Sequence, residues 1–297
     1  MSILRHSEWK ETKWTLHLIS QLLGKIRLTL APPEPQWGHV SLPLTARGFS
    51  TGLLDANRHV IQVDVDLVDE RILVLVDETT DWIPLRDGQS IRFYYEMLFT
   101  ALHTHDVDVT IHPVAQEVAY PARLDEDDTP LTFEPSQAIR GLRLFQQAAH
   151  AQLRFLSRLR CRKVKPALFW GTFDVSSLLI WSRDEPYPEN KRIERVAFDE
   201  PMIEFGFWLG DETFDSPTYF VLPYPFLFHA LPTSSLRPDT AYYDAGRSEF
   251  FLELTDALDA THVQQFFETT TDVLVEQMNW PEPEHLFRPL RLNQTEE

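Results

Sequence analysis

The stretch Gly24–Gly52, GKIRLTLAPPEPQWGHVSLPLTARGFSTG, decides the fold. Residues 25–30 (KIRLTL) and 39–47 (HVSLPLTAR) alternate apolar and polar side chains, which is the period-two signature of half-buried strands. The prolines between them read as a turn, and Gly24 reads as the stop of a preceding helix. On this reading Ile26, Leu28, Leu30, Val40, Leu42 and Leu44 share one face. Lys25, Arg27, His39, Ser41, Thr45 and Arg47 share the other.

Working outward, 7–25 has Leu16, Ile19, Leu22 and Leu23 at helical spacing, with Ser7 placed to cap it and Glu8 and Glu11 suited to its positive end. Two further alternating runs, 60–68 and 71–77, are joined tightly through VDER. Ile61, Val63, Val65 and Leu67 extend the apolar face; Gln62, Asp64 and Asp66 extend the polar one. Val63, Val65, Ile26 and Leu28 are expected in one buried cluster under the first two helices. A second helix is expected over 90–105 and a strand over 107–113. Four prolines and an acidic cluster mark 113–135 as a crossover. A long helix over 136–160 follows, then strands at 167–183, 201–210, 217–225, 241–244 and 249–254, and a helix over 261–278.

Helix, strands, helix occurs twice. The expected class is therefore α+β, with two pseudo-similar halves, each a mostly antiparallel sheet flanked by helices. The divisions are an N-terminal half at 1–112, a crossover at 113–135, a C-terminal half at 136–280 and an irregular tail at 281–297.

The composition of the 297 residues is that of a globular protein, 43% hydrophobic and 24% charged. A net charge of −18 opposes binding to nucleic acid or to anionic membrane surfaces, and a cationic or neutral small molecule is easier to accommodate. The single cysteine, Cys161, excludes an intrachain disulfide and suits a reducing compartment. Its basic neighbours read as helix-terminal charges rather than as activators of a nucleophile. Without a signal-like apolar run or a spanning segment, the expected setting is soluble and cytoplasmic. No G-x-G-x-x-G, P-loop, H-E-x-x-H or G-x-S-x-G occurs. His103, His105 and His112 lie close in sequence but lack a regular ligand spacing, so no metal is expected.

Five separated motifs belong together: GKIRLTLAPP (24–33), WGHV (37–40), TARG (45–48), FWGTFD (169–174), and YYD with EF (242–244, 249–250). In this order they resemble the bacterial family DUF5996, a domain of unknown function, over nearly the whole chain. The resemblance implies kinship and no activity. One departure is Gly38, where the family pattern has a second aromatic, so the aromatic wall beside His39 is expected to be reduced.

The polar face has two readings. It is a solvated sheet surface with weak cross-strand pairs, which would serve a structural or partner-binding protein. Alternatively the aromatic strands of the second half roof it and form a small-molecule site. In that case His39 would transfer protons, oriented by Asp64 or Asp174. Lys25, Arg27 and Arg47 would hold an anionic ligand. Trp170, Tyr224, Tyr242 and Tyr243 would supply the walls. Cofactor, reaction and oligomeric state stay open.

Overall fold

The computed structural model describes residues 3–290. The opening stretch takes a different course from its alternation. Helix α1 runs from His6 to Leu30, straight through Gly24 and KIRLTL. Every residue from Thr15 to Ile26 is buried, so the helix is covered all round rather than on one stripe. Lys25 and Arg27 therefore sit on a helix, and Leu28, expected inside, is exposed. Ser7 does not cap it either. The cap comes from the other end of the sequence: the Asp215 side chain accepts from the Ser7 N–H at 2.8 Å, and its carbonyl accepts from His6 at 2.8 Å.

The expected strand 39–47 is also absent. The only strand-like pairings of that segment are two isolated bridges, Leu42 with Leu168 and Leu44 with Phe49. The first sheet is built from β1 (Gly48–Ser50), β2 (Leu54–Ala56), β3 (His59–Asp66), β4 (Arg71–Val76) and β5 (Thr79–Pro84), all antiparallel, with β1 and β2 both pairing β3. Here the period-two reading holds. Ile61, Val63 and Val65 point inward with Ile72, Val74 and Val76, while Gln62 and Asp64 face out. Helix α2 (Ile91–Thr104), capped by Ser90, packs on β4 and β5. The run 107–113 forms no strand, although it buries Val107, Val109 and Ile111.

Helix α3 (Pro135–Leu156) leads into the second sheet. Its strands are β6 (Arg162–Phe169), β7 (Asp174–Ile180), β8 (Met202–Trp208), β9 (Thr218–Tyr224), β10 (Tyr242–Asp244) and β11 (Glu249–Glu253), antiparallel in the order β10-β11-β9-β8-β7-β6. The run 167–183, read as one strand, is the hairpin β6–β7, turned at 170–173 where Phe173 takes φ 60°. A short helix α4 (Glu194–Ala197) lies between β7 and β8. Helices α3 and α5 (Ala260–Gln277) cover one face of this sheet. In the 281–297 segment, Pro283–Leu286 forms one helical turn, α6, and 291–297 lie outside the described residues.

The class is thus α+β with two antiparallel sheets, of five and six strands. One apolar core runs through both, with Ile26, Val63 and Val65 in the same cluster as Phe205, Phe207 and Phe266. Helix α1 contacts both α2 and α3. No helix among the described residues is long and apolar enough to cross a membrane.

Candidate functional site

The second sheet has one helix-covered face and one that carries chemistry. Along β7, Ser177 donates to the Gln152 side chain of α3 at 2.8 Å, and Gln152 donates to the Val175 carbonyl at 2.8 Å. Odd-numbered β7 residues thus face the helices, and Asp174, Ser176 and Leu178 face away. Phe205 and Phe207 of β8 pack against aromatic rings from the helices, which sends Glu204 to the same side as Asp174. The β9–β11 register pairs Phe250 with Val221, so Glu249 stands opposite Leu222, itself opposite Glu204. Acidic groups from three strands thereby share a face with Ser176, Leu178, Trp208, Phe220 and Leu222.

Two cavities lie over this face. One, of about 190 Å³, is walled by Trp37, Val40, Phe169, Trp170 and Phe198. The other, of about 340 Å³, is lined by Lys13, Trp208, Phe220, Leu222 and Glu249. Thr172, Asp174 and Glu204 line both.

The turn that carries Trp170, Thr172 and Asp174 is fixed by a polar stripe on α1. The His17 Nε2–H donates to the carbonyls of Trp170 (3.1 Å) and Gly171 (3.0 Å), and its ring stacks on Phe173. Gln21 donates to Trp170 O at 3.1 Å and to Gln116 O at 3.0 Å, and accepts from Gln116 N–H at 3.0 Å. These bonds satisfy groups that would otherwise be costly to bury so deeply. Burial pushes the His17 pKa down to about 4, so the ring is neutral and donates as one tautomer.

The carboxyls respond in the opposite direction. Asp174, only 6% exposed, has its pKa raised by burial even though Thr172 and Ser176 donate to it. Glu204 opens partly to the cavities but is crowded by protein atoms; burial, then the neighbouring Asp174, pushes it up to about 8. Glu249 is pushed up to about 7 by burial, against the opposing pull of Arg247. Glu117 stands exposed at the mouth, raised by crowding and screened by water. Among the described residues no basic group comes within ion-pair distance of these four.

Of the residues singled out from sequence, Trp170 and Asp174 line the cavity. Trp170 is buried over Gly24, with Nε1 donating to Val40 O at 3.0 Å. Lys25 lies over the Trp170 ring at 5.4 Å, 4% exposed, with burial pushing its pKa down to about 8. Tyr224 is buried beneath the cavity wall and donates to Glu185 O at 3.0 Å. The others go elsewhere. Arg27 bonds the His39 carbonyl at 2.7 Å and the Thr51 carbonyl, joining two loops. His39 is buried, its Nδ1 accepting from the Glu34 N–H at 3.0 Å, with its pKa lowered by burial. Neither Asp64 nor Asp174 bonds it. An aromatic neighbour does stand beside it, Trp37 at 5.7 Å. Arg47 pairs with Asp66 at 2.9 Å and Asp69 at 2.7 Å, and Asp64 accepts from Gln62 on the first sheet. Tyr242 is exposed against Phe251, and Tyr243 donates to Leu227 O. His105 bonds Asp81 at 2.6 Å and His103 bonds Asp108 at 3.1 Å; no group of three ligand-type side chains able to hold a metal occurs among the described residues.

Sequence reasoning missed Lys13, Trp37, Glu117, Glu204 and Glu249. The available signal was Glu204, a lone charge inside the apolar strand run MIEFGFW, where a charge costs most.

No curated protein and no solved structure matches the chain. A family model does, from residue 1 to residue 286. With that match covering nearly the whole sequence, the chain belongs to DUF5996, a family of unknown function.

Proposed function

We propose that this is a small-molecule binding protein or enzyme, cytoplasmic and without nucleic-acid or membrane partners, whose site lies between its two halves at the paired cavities. The ligand carries a cationic group and an apolar body. The carrying observation is that Asp174, Glu204 and Glu249 crowd aromatic-walled cavities with no cation within ion-pair distance among the described residues. Like charges brought together out of water either take up protons or gain a counter-cation. An organic ammonium group meets that need, and tryptophan faces favour it further. An anionic ligand has less support, because Arg27 and Arg47 are engaged by the fold itself. Carboxyls whose pKa values are raised by burial are also suited to proton transfer, which gives Asp174 and Glu204 the acid–base roles if the protein is an enzyme.

Native mass spectrometry of the protein purified from its host should find a retained amine. Thermal melts with 2-phenylethylamine and with 3-phenylpropanoate should show stabilisation by the first alone. Stabilisation by the acid alone would reverse the sign of the ligand.

The same carboxyls make a pH prediction. Glu204 protonated in the fold contributes stability that is fully present below its ordinary value of 4.5 and is lost as pH rises through about 8; the contribution of Glu249 is lost through about 7. His17 works in reverse, contributing above 6.5 and losing that stability as pH falls through about 4. The windows overlap between pH 4.5 and 6.5, where the two carboxyls outweigh the histidine, so the contribution of these three groups to ligand-free stability should fall as pH rises from about 5 to about 8. Glu204→Gln should melt like the wild type near pH 5. Near pH 8.5 it should be more stable by about 2 kcal/mol, roughly 5 °C in Tm. Equal melting at both pH values would mean Glu204 is ionised throughout.

A second reading rests on the first sheet. Trp82, 59% exposed, stands opposite Leu73 on its outer face, beside Leu75. That face would suit a protein partner.

A further inference from the structure

Lys13 is the only basic side chain on the walls of either cavity among the described residues. It projects from the first half of α1 and donates to the Gly210 carbonyl, which leaves two N–H groups free to point elsewhere. No carboxylate approaches within ion-pair distance of its Nζ among the described residues, although Asp211 lines the same cavity. Its pKa is pushed down to about 8, by burial first, so it is held at some cost in solvation. The fold thus keeps a half-buried ammonium on the wall of the cavity that Asp174, Glu204 and Glu249 also line, paired with none of them, while the charges acting on it are those of Asp211 and Glu212.

The order of groups along the site is therefore fixed by position. Lys13 lies in the larger cavity, Asp174 and Glu204 lie in the wall common to both, and Trp37, Phe169, Trp170 and Phe198 enclose the smaller one. A ligand that satisfies all three regions carries a carboxylate, then an ammonium group, then a large apolar group. We propose that the site binds an α-amino acid with a large apolar side chain, its carboxylate on Lys13, its ammonium on Asp174 and Glu204, and its side chain among the aromatic rings of the smaller cavity. This rests on the cation-binding reading above and adds to it the carboxylate and the identity of the residue that holds it. The pairing is chemically economical. The ligand's two charges neutralise protein groups of both signs, and each contact is a charge-assisted hydrogen bond in a partly dry site.

The class also explains why the larger cavity mixes signs. A site for a simple amine gains nothing from a lysine beside its carboxyls, since like charge repels the ligand. A site for a simple carboxylic acid gains nothing from Asp174 and Glu204 for the same reason.

Calorimetric titration of the full chain with L-phenylalanine, L-leucine, 2-phenylethylamine and 3-phenylpropanoate tests this. The amino acids should bind at least about tenfold more tightly than the amine, as expected for one added charge-assisted contact, and the acid should bind weakest. Lys13→Met should remove that advantage while leaving amine affinity unchanged or improved, and Lys13→Arg should restore part of it. Because Lys13 is at the cavity edge rather than in the core, both variants should fold, which melting curves verify. If the amine binds as well as the amino acids and Lys13→Met does not separate them, the amino-acid assignment is overturned while the cation site stands. If none of the four binds, both are overturned.

Discussion

Gly24→Ala should destabilise the protein by about 3 kcal/mol or more, where the same change in an ordinary exposed helix gains about 1 kcal/mol. The sign is the test. A Cβ built on Gly24 falls 2.1 Å from two carbons of the Trp170 indole, far inside van der Waals contact. The ring cannot easily retreat, because it is 3% exposed and its Nε1–H is bonded to the Val40 carbonyl at 3.0 Å. Helix α1 cannot easily retreat either, being buried all round at this level. Urea denaturation of Gly24→Ala, Trp170→Leu and the double variant forms a cycle in which the smaller side chain should relieve most of the alanine's cost. A Gly24→Ala protein as stable as the wild type would show that α1 does not lie against the indole. The same variant should lose ligand binding, since Trp170 walls the smaller cavity.

Val65→Asp should cost several kcal/mol and prevent folding at ordinary temperature. Val65 is 1% exposed on the inward side of β3, opposite Ile72 and Phe49. An aspartate there would be a buried carboxylate with no partner, among the most destabilising single changes known. The neighbouring Asp64→Val, on the outward side, is the control and should be nearly neutral. Circular dichroism and soluble yield of the two variants would check the register. A folded Val65→Asp protein with normal melting would mean the faces of β3 are inverted.

That register was legible because β3 and β4 form an amphipathic hairpin with one wet side, where alternation reports burial directly. The helices α2, α3 and α5 were legible for the corresponding reason at helical period. KIRLTL alternates just as well, yet it is helix. It continues a helix that is buried on every side up to Ile26, and the contacts of Ile26 with the core and of Lys25 with Trp170 decide the conformation, while Leu28 and Thr29 stay exposed. Gly24, read as a stop, is a place where a large ring needs the helix backbone. Once α1 continues, Arg27 turns toward the His39 and Thr51 carbonyls, and the imagined basic sheet face dissolves into loop staples.

The candidate site was legible in part for a related reason. Trp170 and Asp174 sit in a dense local motif, FWGTFD, that stands out in one dimension. Glu204, Glu249 and Lys13 come together only through the β7–β8–β9–β11 register and the reach of α1, which no local window contains. The net charge of −18 and the anion-holding role given to Lys25, Arg27 and Arg47 pointed to ligands of opposite sign; in the fold Arg27 and Arg47 are engaged by carbonyls and carboxylates of the protein itself.

The all-round burial of α1 also sets a schedule for biosynthesis. This helix is made before the segments that enclose it: His17 waits for a carbonyl 154 residues later and Lys13 for one 197 residues later. At ordinary elongation speeds that interval is roughly 10 to 40 s. During it the helix lacks the second sheet that completes its enclosure, and the polar atoms of His17 and Lys13 are without their native partners. Native structure must close late, around a segment made early, so the nascent chain depends on protection until the second sheet has emerged.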